Sequence, residues 1–148
     1  MKKHLKGISL ASIYGLIGGF VLTFLFKWIE SMTGEKVYIF LLNVDYIPII
    51  GNIVFPEWIE VSFHLLVSIA VALGFYIMYQ LRPHWKKRAI AICTIVSVVI
   101  GIALFPTTAL SDRTPELTNI VALSYWLGGH AVFGAVLGIF FRLERNHE

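Results

Sequence analysis

Charge is what this sequence has least of. Asp, Glu, Lys and Arg make up 14% of the 148 residues, against 57% hydrophobic residues, where a soluble domain carries about 25% charged residues. A single water-soluble core could not hide that much apolar surface, so much of it must face lipid. Cysteine is nearly absent too. The lone Cys93 excludes a disulfide within the chain and any cysteine-based metal motif, and its place in an apolar run makes it a small buried residue. The chain has no HExxH, serine-nucleophile, P-loop or Rossmann motif, no lipidation motif, and neither an internal repeat nor a low-complexity tract.

What is present is a set of long apolar runs. A helix needs about 20 apolar residues to cross a hydrocarbon core of about 30 Å. Four stretches meet that demand: 7–28, 58–81, 89–105, the last of these short and stopped by Pro106, and 120–141. Strand-like alternation is missing, which argues against a barrel. The expected fold is therefore all-α, a single polytopic domain built as a four-transmembrane-helix bundle. The start of the chain, with Lys2, Lys3 and Lys6 before an apolar stretch, has the look of a signal peptide. The stretch is too long for one and ends in Lys27-Trp28-Ile29-Glu30 without a small-residue cleavage site, so it reads as a retained first span.

Basic residues set the orientation. Lys2, Lys3, Lys6, Arg82, Lys86, Lys87, Arg88, Arg142 and Arg145 fall on one side, and Lys27, Lys36 and Arg113 on the other. Nine against three places both termini in the cytoplasm. The net charge of +3 then speaks for anionic lipid headgroups on the cytoplasmic side and not for nucleic acid. The outer face is acidic, with Glu30, Glu35, Asp45, Glu57, Glu60, Asp112 and Glu116. The first outer connection, 31–56, is unusual. Val37-Tyr38-Ile39-Phe40-Leu41-Leu42 is too apolar for a solvated loop, while Asn43, Asp45, Pro48, Gly51, Asn52 and Pro56 break it too often for a fifth span. An interfacial or re-entrant segment fits, either as a plain cap or as a lid that touches a substrate.

Helices in lipid associate through small residues and interhelical hydrogen bonds. Ser9, Ser12, Gly15, Gly19 and Thr23 share one face of span 1, Thr94, Ser97 and Gly101 one face of span 3, and Gly134 and Gly138, with Ala131 and Ala135 beside them, one face of span 4. These seams serve either the bundle itself or a homodimer. Span 2 carries Glu57, Glu60, His64 and Ser68 at i, i+3, i+7 and i+11, a polar stripe that gives way to Val71, Phe75 and Met78. Polarity confined to the outer half predicts an outward-open cleft and argues against an open pore. His130 lies about ten residues, or about 15 Å, into span 4, and His64 about 9 Å into span 2. Three readings are open: hydrogen-bonding glue between helices, a proton-sensing or proton-coupled site in which Glu60 and His64 share a wet cavity, or a metal site of Glu60, His64 and His130. His4, His84 and His147 read as solvated cytoplasmic groups.

Several short anchors resemble the YagU family of bacterial inner-membrane proteins: Gly15-Leu16-Ile17-Gly18-Gly19 running into Phe26-Lys27-Trp28, Phe63-His64, Ser68-Ile69 and Gly74 in span 2, Phe105-Pro106, and Gly129-His130. Small Firmicutes membrane proteins of the YqhR type are similar at a greater distance. The resemblance implies an inner-membrane protein with a proposed link to acid resistance, and no reaction. The leading expectation is a non-enzymatic protein that supports envelope or pH homeostasis, with proton-linked transport through the polar cleft as one form of it and no cofactor. A metal-binding membrane enzyme or metal carrier, and a structural subunit of a larger membrane complex, are the alternatives.

The topology can be read directly. Reporters fused after Lys36 and after Asp112 are expected to signal from outside, and those after Pro83 and at the C-terminus from the cytoplasm. A cytoplasmic signal from the Lys36 fusion would overturn the whole arrangement.

Overall fold

A computed structural model describes residues 2–45, 47 and 53–144. Pro48, Gly51 and Asn52 of the first outer connection, and Arg145 and His147 near the C-terminus, lie outside the described residues. Within them the chain is mostly helical, with no strand. α1 spans Lys2–Thr33, α2 Val37–Leu42, α3 Glu57–Leu81, α4 Ala89–Leu104 and α5 Ile120–Glu144. Four helices are long and apolar enough to cross a membrane. α4 is rich in β-branched residues that favour strands in water. Lipid overrides that preference, because a helix alone satisfies every backbone group within one segment.

The ends of the helices are set locally. Gly34, at φ 77°, closes α1, and its N–H donates to the Glu30 carbonyl at 2.9 Å; this left-handed stop suits glycine because it has no Cβ. Glu57 and Glu60 sit in the first turn of α3, where negative charge complements the helix dipole. Asn119 Oδ1 accepts the Ala122 N–H at 3.0 Å and caps α5. α4 stops just ahead of Pro106, at Leu104, but the helical path does not end there. α4 passes into a 3-10 segment, Phe105–Leu110, with the proline in its first turn, where no intrahelical N–H is needed. A second 3-10 segment, Pro83–Arg88, precedes α4. The continuous helical path is Pro83–Leu110, long enough to span although α4 proper measures only about 24 Å.

α1 packs against α3 and α5, and α4 packs against α5. The order around the bundle is thus α3–α1–α5–α4, with α3 and α4 as its two edges. The small residues lie inside these pairings. A methyl group on Gly15 would sit 2.7 Å from Ile69 Cα, and one on Gly19 2.8 Å from Ser68 Oγ. On α5, a methyl on Gly134 would meet Thr94 Cα at 2.6 Å, and one on Gly138 the Ala89 carbonyl at 2.8 Å. Gly101 faces the His130 ring in the same way, at 3.0 Å from Cγ. All five glycines are used within the chain, so the seams are occupied and not offered to a second copy. Outward-facing Phe24 and Ile95 are exposed at 67% and 63%, as lipid-facing residues are.

α2 closes one end of the bundle, with Val37, Phe40 and Leu42 buried. Phe40 lies against Trp126 of α5 with ring centroids 4.1 Å apart and the planes tilted by 38°, and meets Phe105 edge-on at 5.8 Å. At the opposite end, Phe75 and Tyr79 of α3 pack on Phe141 of α5, Tyr14 stacks on Phe140, and Tyr79 Oη lies 3.3 Å from Cys93 Sγ. That aromatic cluster draws α3 and α4 together beside their short connection.

Gly134→Leu and Gly19→Leu should each destabilise the bundle by about 1–3 kcal/mol through overpacking. A methyl group added at Gly74 or Gly128 would meet nothing within 4 Å, and replacement of either by Ala should be neutral or stabilising by up to about 1 kcal/mol. Thermal unfolding in detergent checks both. Equal effects at all four sites would place the two seams on lipid.

Candidate functional site

Between the edges α3 and α4 the bundle encloses a cavity of about 360 Å³, within the range of about 300–1,000 Å³ usual for small-molecule sites. α3 contributes Glu60, His64, Ser68 and Val71, and α4 contributes Ser97, Ile100 and Leu104. Trp126, His130 and Phe133 of α5, with Leu22 of α1, form the back wall. Residues 40–44 and 47 cover it at the loop end. The expected outward-open cleft is therefore a roofed chamber. Its lining is mainly apolar, because the end of α2 and the segment after it fold the buried residues Leu42 and Val44 over the polar stripe.

The polar groups of the chamber wall are held by carbonyls. His64 Nε2 lies 3.3 Å from the Gly19 carbonyl oxygen. A carbonyl only accepts, so this nitrogen carries the proton. Ser68 Oγ donates to the His64 carbonyl at 3.0 Å and lies 3.4 Å from Nε2. His130 Nδ1 donates to the Trp126 carbonyl at 2.9 Å, and Trp126 Nε1 donates to the Gly101 carbonyl at 2.9 Å. His64 Nδ1 and His130 Nε2 have no hydrogen-bond partner among the described residues. Ser97 Oγ and Asn43 Nδ2 are fully buried and without a partner. A buried polar group left unpaired costs about 1–3 kcal/mol, so a chamber with two such groups on its wall is suited to a polar occupant.

The stripe predicted on α3 divides. Glu60, His64 and Ser68 line the chamber, whereas Glu57 does not. Glu57 accepts from Lys27 Nζ at 2.5 Å and from Tyr38 Oη at 2.6 Å. Partial burial, followed by that bond to a carboxylate, pushes the Tyr38 phenol well above the usual range. Glu60 and His64 share the chamber, but no hydrogen bond joins them; Glu60 instead lies 3.6 Å from Arg113 Nη2. His130 lines the same chamber. The metal reading of Glu60, His64 and His130 fails on placement: among the described residues no three His, Cys, Asp or Glu side chains gather closely enough to hold an ion.

The acidic residues at the loop end serve as fasteners. Glu30 accepts the N–H groups of Tyr38 and Ile39 at 2.7 and 3.0 Å, holding the start of α2. Glu35 accepts from Asn119 Nδ2 at 2.8 Å. Asp45 accepts from Ser111 Oγ at 2.7 Å and lies 3.4 Å from Arg113 Nη1. Arg113 therefore ties the segment after α2, the 111–119 connection and α3 together beside the roof. Three participants were not singled out from the sequence as parts of a site. Trp126, one helical turn before His130, was within reach of periodicity. The orphaned hydroxyl of Ser97 and the bridging role of Arg113 depend on which helices meet.

The fold and this chamber define a four-span helical membrane protein with an intramembrane pocket. No family model, curated protein or solved structure matches the chain, so the chemistry of the pocket is read from its own residues.

No carboxylate touches either imidazole, and the neutral His64 ring, once freed by unfolding, binds a proton below about pH 6.5. His64→Ala should therefore cost about 1 kcal/mol at neutral pH for the lost hydrogen bond and less as the pH falls through the mildly acidic range. His84→Ala should have no effect. Melting curves of both variants decide this, and a His64→Ala loss that grows toward acid pH would show a charged imidazolium at work.

Proposed function

We propose that this is a multi-pass protein of the bacterial cytoplasmic membrane, with both termini inside, that holds a small lipophilic molecule in its intramembrane chamber in support of envelope homeostasis and catalyses no reaction. The chamber between α3 and α4 carries the reading. It is large enough for a ligand, mainly apolar, and furnished with a few unpaired polar groups, the mixture that small-molecule sites show. The distribution of basic residues and the resemblance to YagU-type proteins support the location.

The Ser68–His64 pair has the spacing of a nucleophile and its base, but not the hydrogen-bond directions. His64 Nε2 carries its proton toward the Gly19 carbonyl, and the Ser68 hydroxyl is spent on the His64 carbonyl. Neither group is set to take a proton from the other. A second reading, proton-linked transport, is favoured by one observation: Glu60, His64 and His130 line a single chamber. It requires a His64→Ala loss that grows toward acid pH.

Solvent extraction of the purified protein followed by mass spectrometry tests the binding reading. A small lipophilic molecule enriched over bulk lipid is expected from the natural chain, with a several-fold smaller amount from Ile100→Phe, which fills the chamber. Identical extracts from the two folded proteins would overturn it.

A further inference from the structure

The chamber has a side as well as a roof. α3 and α4 are consecutive and joined by a short connection, yet they barely touch along their length. They meet at Tyr79 and Cys93 beside the connection and diverge from there. The lining residues nearest this gap are apolar and open to the outside of the bundle, with Val67 exposed at 59% and Leu104 at 36%. The polar groups lie on the opposite side, where Ser68 and His64 face α1 and His130 faces α4 and Trp126. A molecule passing from the bilayer into the chamber thus crosses apolar side chains first and reaches hydrogen-bonding groups last.

Those groups specify a polar end. The unprotonated nitrogens of His64 and His130 require a donor, the Asn43 amide N–H requires an acceptor, and the Ser97 hydroxyl takes either. A hydroxyl supplies both functions; an ester carbonyl only accepts, and a hydrocarbon does neither. An anionic head would accept from Asn43 and Ser97 but meets no Lys or Arg among the described lining residues, and a buried charge without a counter-charge is costly. The ionisable group at the rim is the Glu60 carboxylate, and Arg113 beside it is already shared between Glu60 and Asp45. A volume of about 360 Å³ corresponds to about a dozen water-sized groups, one short chain rather than two. Resting on the binding reading above, we infer that the occupant is a neutral single-chain amphiphile with a hydroxyl head, taken from the bilayer through the gap between α3 and α4, with its hydroxyl set among Ser97, His64 and His130 and its chain directed toward lipid.

Trp126 lines the chamber and is buried, whereas Trp28, Trp58 and Trp85 are exposed. In a Trp28→Phe, Trp58→Phe, Trp85→Phe chain in phosphatidylcholine vesicles, Trp126 is the sole indole, and bromine near it quenches its fluorescence. 2-Bromododecan-1-ol should quench it saturably, at a several-fold lower mole fraction than 2-bromododecane or 2-bromododecanoic acid. Ser97→Ala should weaken the alcohol by about 2- to 10-fold, the worth of one hydrogen bond, and leave the alkane unchanged. Ile100→Phe should abolish saturation with both. If alcohol and alkane quench alike and Ser97→Ala changes nothing, the head-group assignment is wrong while the binding reading stands. Quenching by aqueous acrylamide in preference to the alcohol would overturn access from the bilayer. No saturable quenching by any probe would sink the binding reading itself. Should the triple variant not fold, a rise in the melting temperature of the unmodified chain with dodecan-1-ol, absent with dodecane and reduced by Ser97→Ala, reads the same preference.

Discussion

Hydrocarbon gives helices no hydrophobic reason to associate, so their pairing depends on how closely the backbones approach. Here two approaches carry the structure. Gly134 and Gly138 bring α5 onto the backbone of α4 near Thr94 and Ala89, and Gly15 and Gly19 bring α1 onto α3 near Ile69 and Ser68. A third packing, α1 against α5, joins the pairs. Once each edge helix is committed to its own partner, α3 and α4 have little surface left for each other. The chamber follows from that commitment: it is the space between two edges held apart by where the glycines lie.

The two ends of the bundle close this space by different means. Beside the α3–α4 connection the closure is apolar, made by Phe75, Tyr79 and Phe141 with the Tyr79–Cys93 contact. At the loop end it is a buried apolar roof, Phe40 on Trp126, secured by charged and polar fasteners around its margin: Glu30 on the start of α2, Glu35 on Asn119, and Arg113 on Asp45 and Glu60. Ion pairs with one solvent-exposed partner, as Arg113 is here, are screened by water and contribute about 1 kcal/mol or less each. Their role is positional, holding three separate chain segments at one margin, while burial of Phe40, Leu42 and Val44 supplies the stability.

The histidines show how neighbours decide chemistry. One turn from Glu60, His64 has the sequence spacing of a charge-coupled pair, but its ring turns to the Gly19 carbonyl across the α1–α3 seam. His130 bonds to the Trp126 carbonyl one turn back. Each ring spends its proton on a backbone oxygen and keeps one nitrogen for something else. With Ser97 and Asn43 unpaired, the wall is a set of neutral hydrogen-bonding groups and not a row of charges.

The four helices, their approximate limits and the small-residue seams were legible from the sequence, because bilayer thickness fixes how long an apolar run must be and close packing in lipid needs residues without bulk. The polar stripe Glu60, His64 and Ser68 was legible too, since helical periodicity puts these residues on one face whatever they meet. Periodicity could not say that Pro106 would be absorbed by a 3-10 turn, as that depends on the turn's hydrogen bonds and not on the residue type. Nor could it say that Glu57 would turn to Lys27 and Tyr38, that Glu60 would answer Arg113, more than fifty residues away in the chain, or that Ser97 would be left without a partner. Those outcomes belong to the tertiary structure. They are set by which helices pair and which are left apart, and each needs a neighbour that no local stretch of sequence contains.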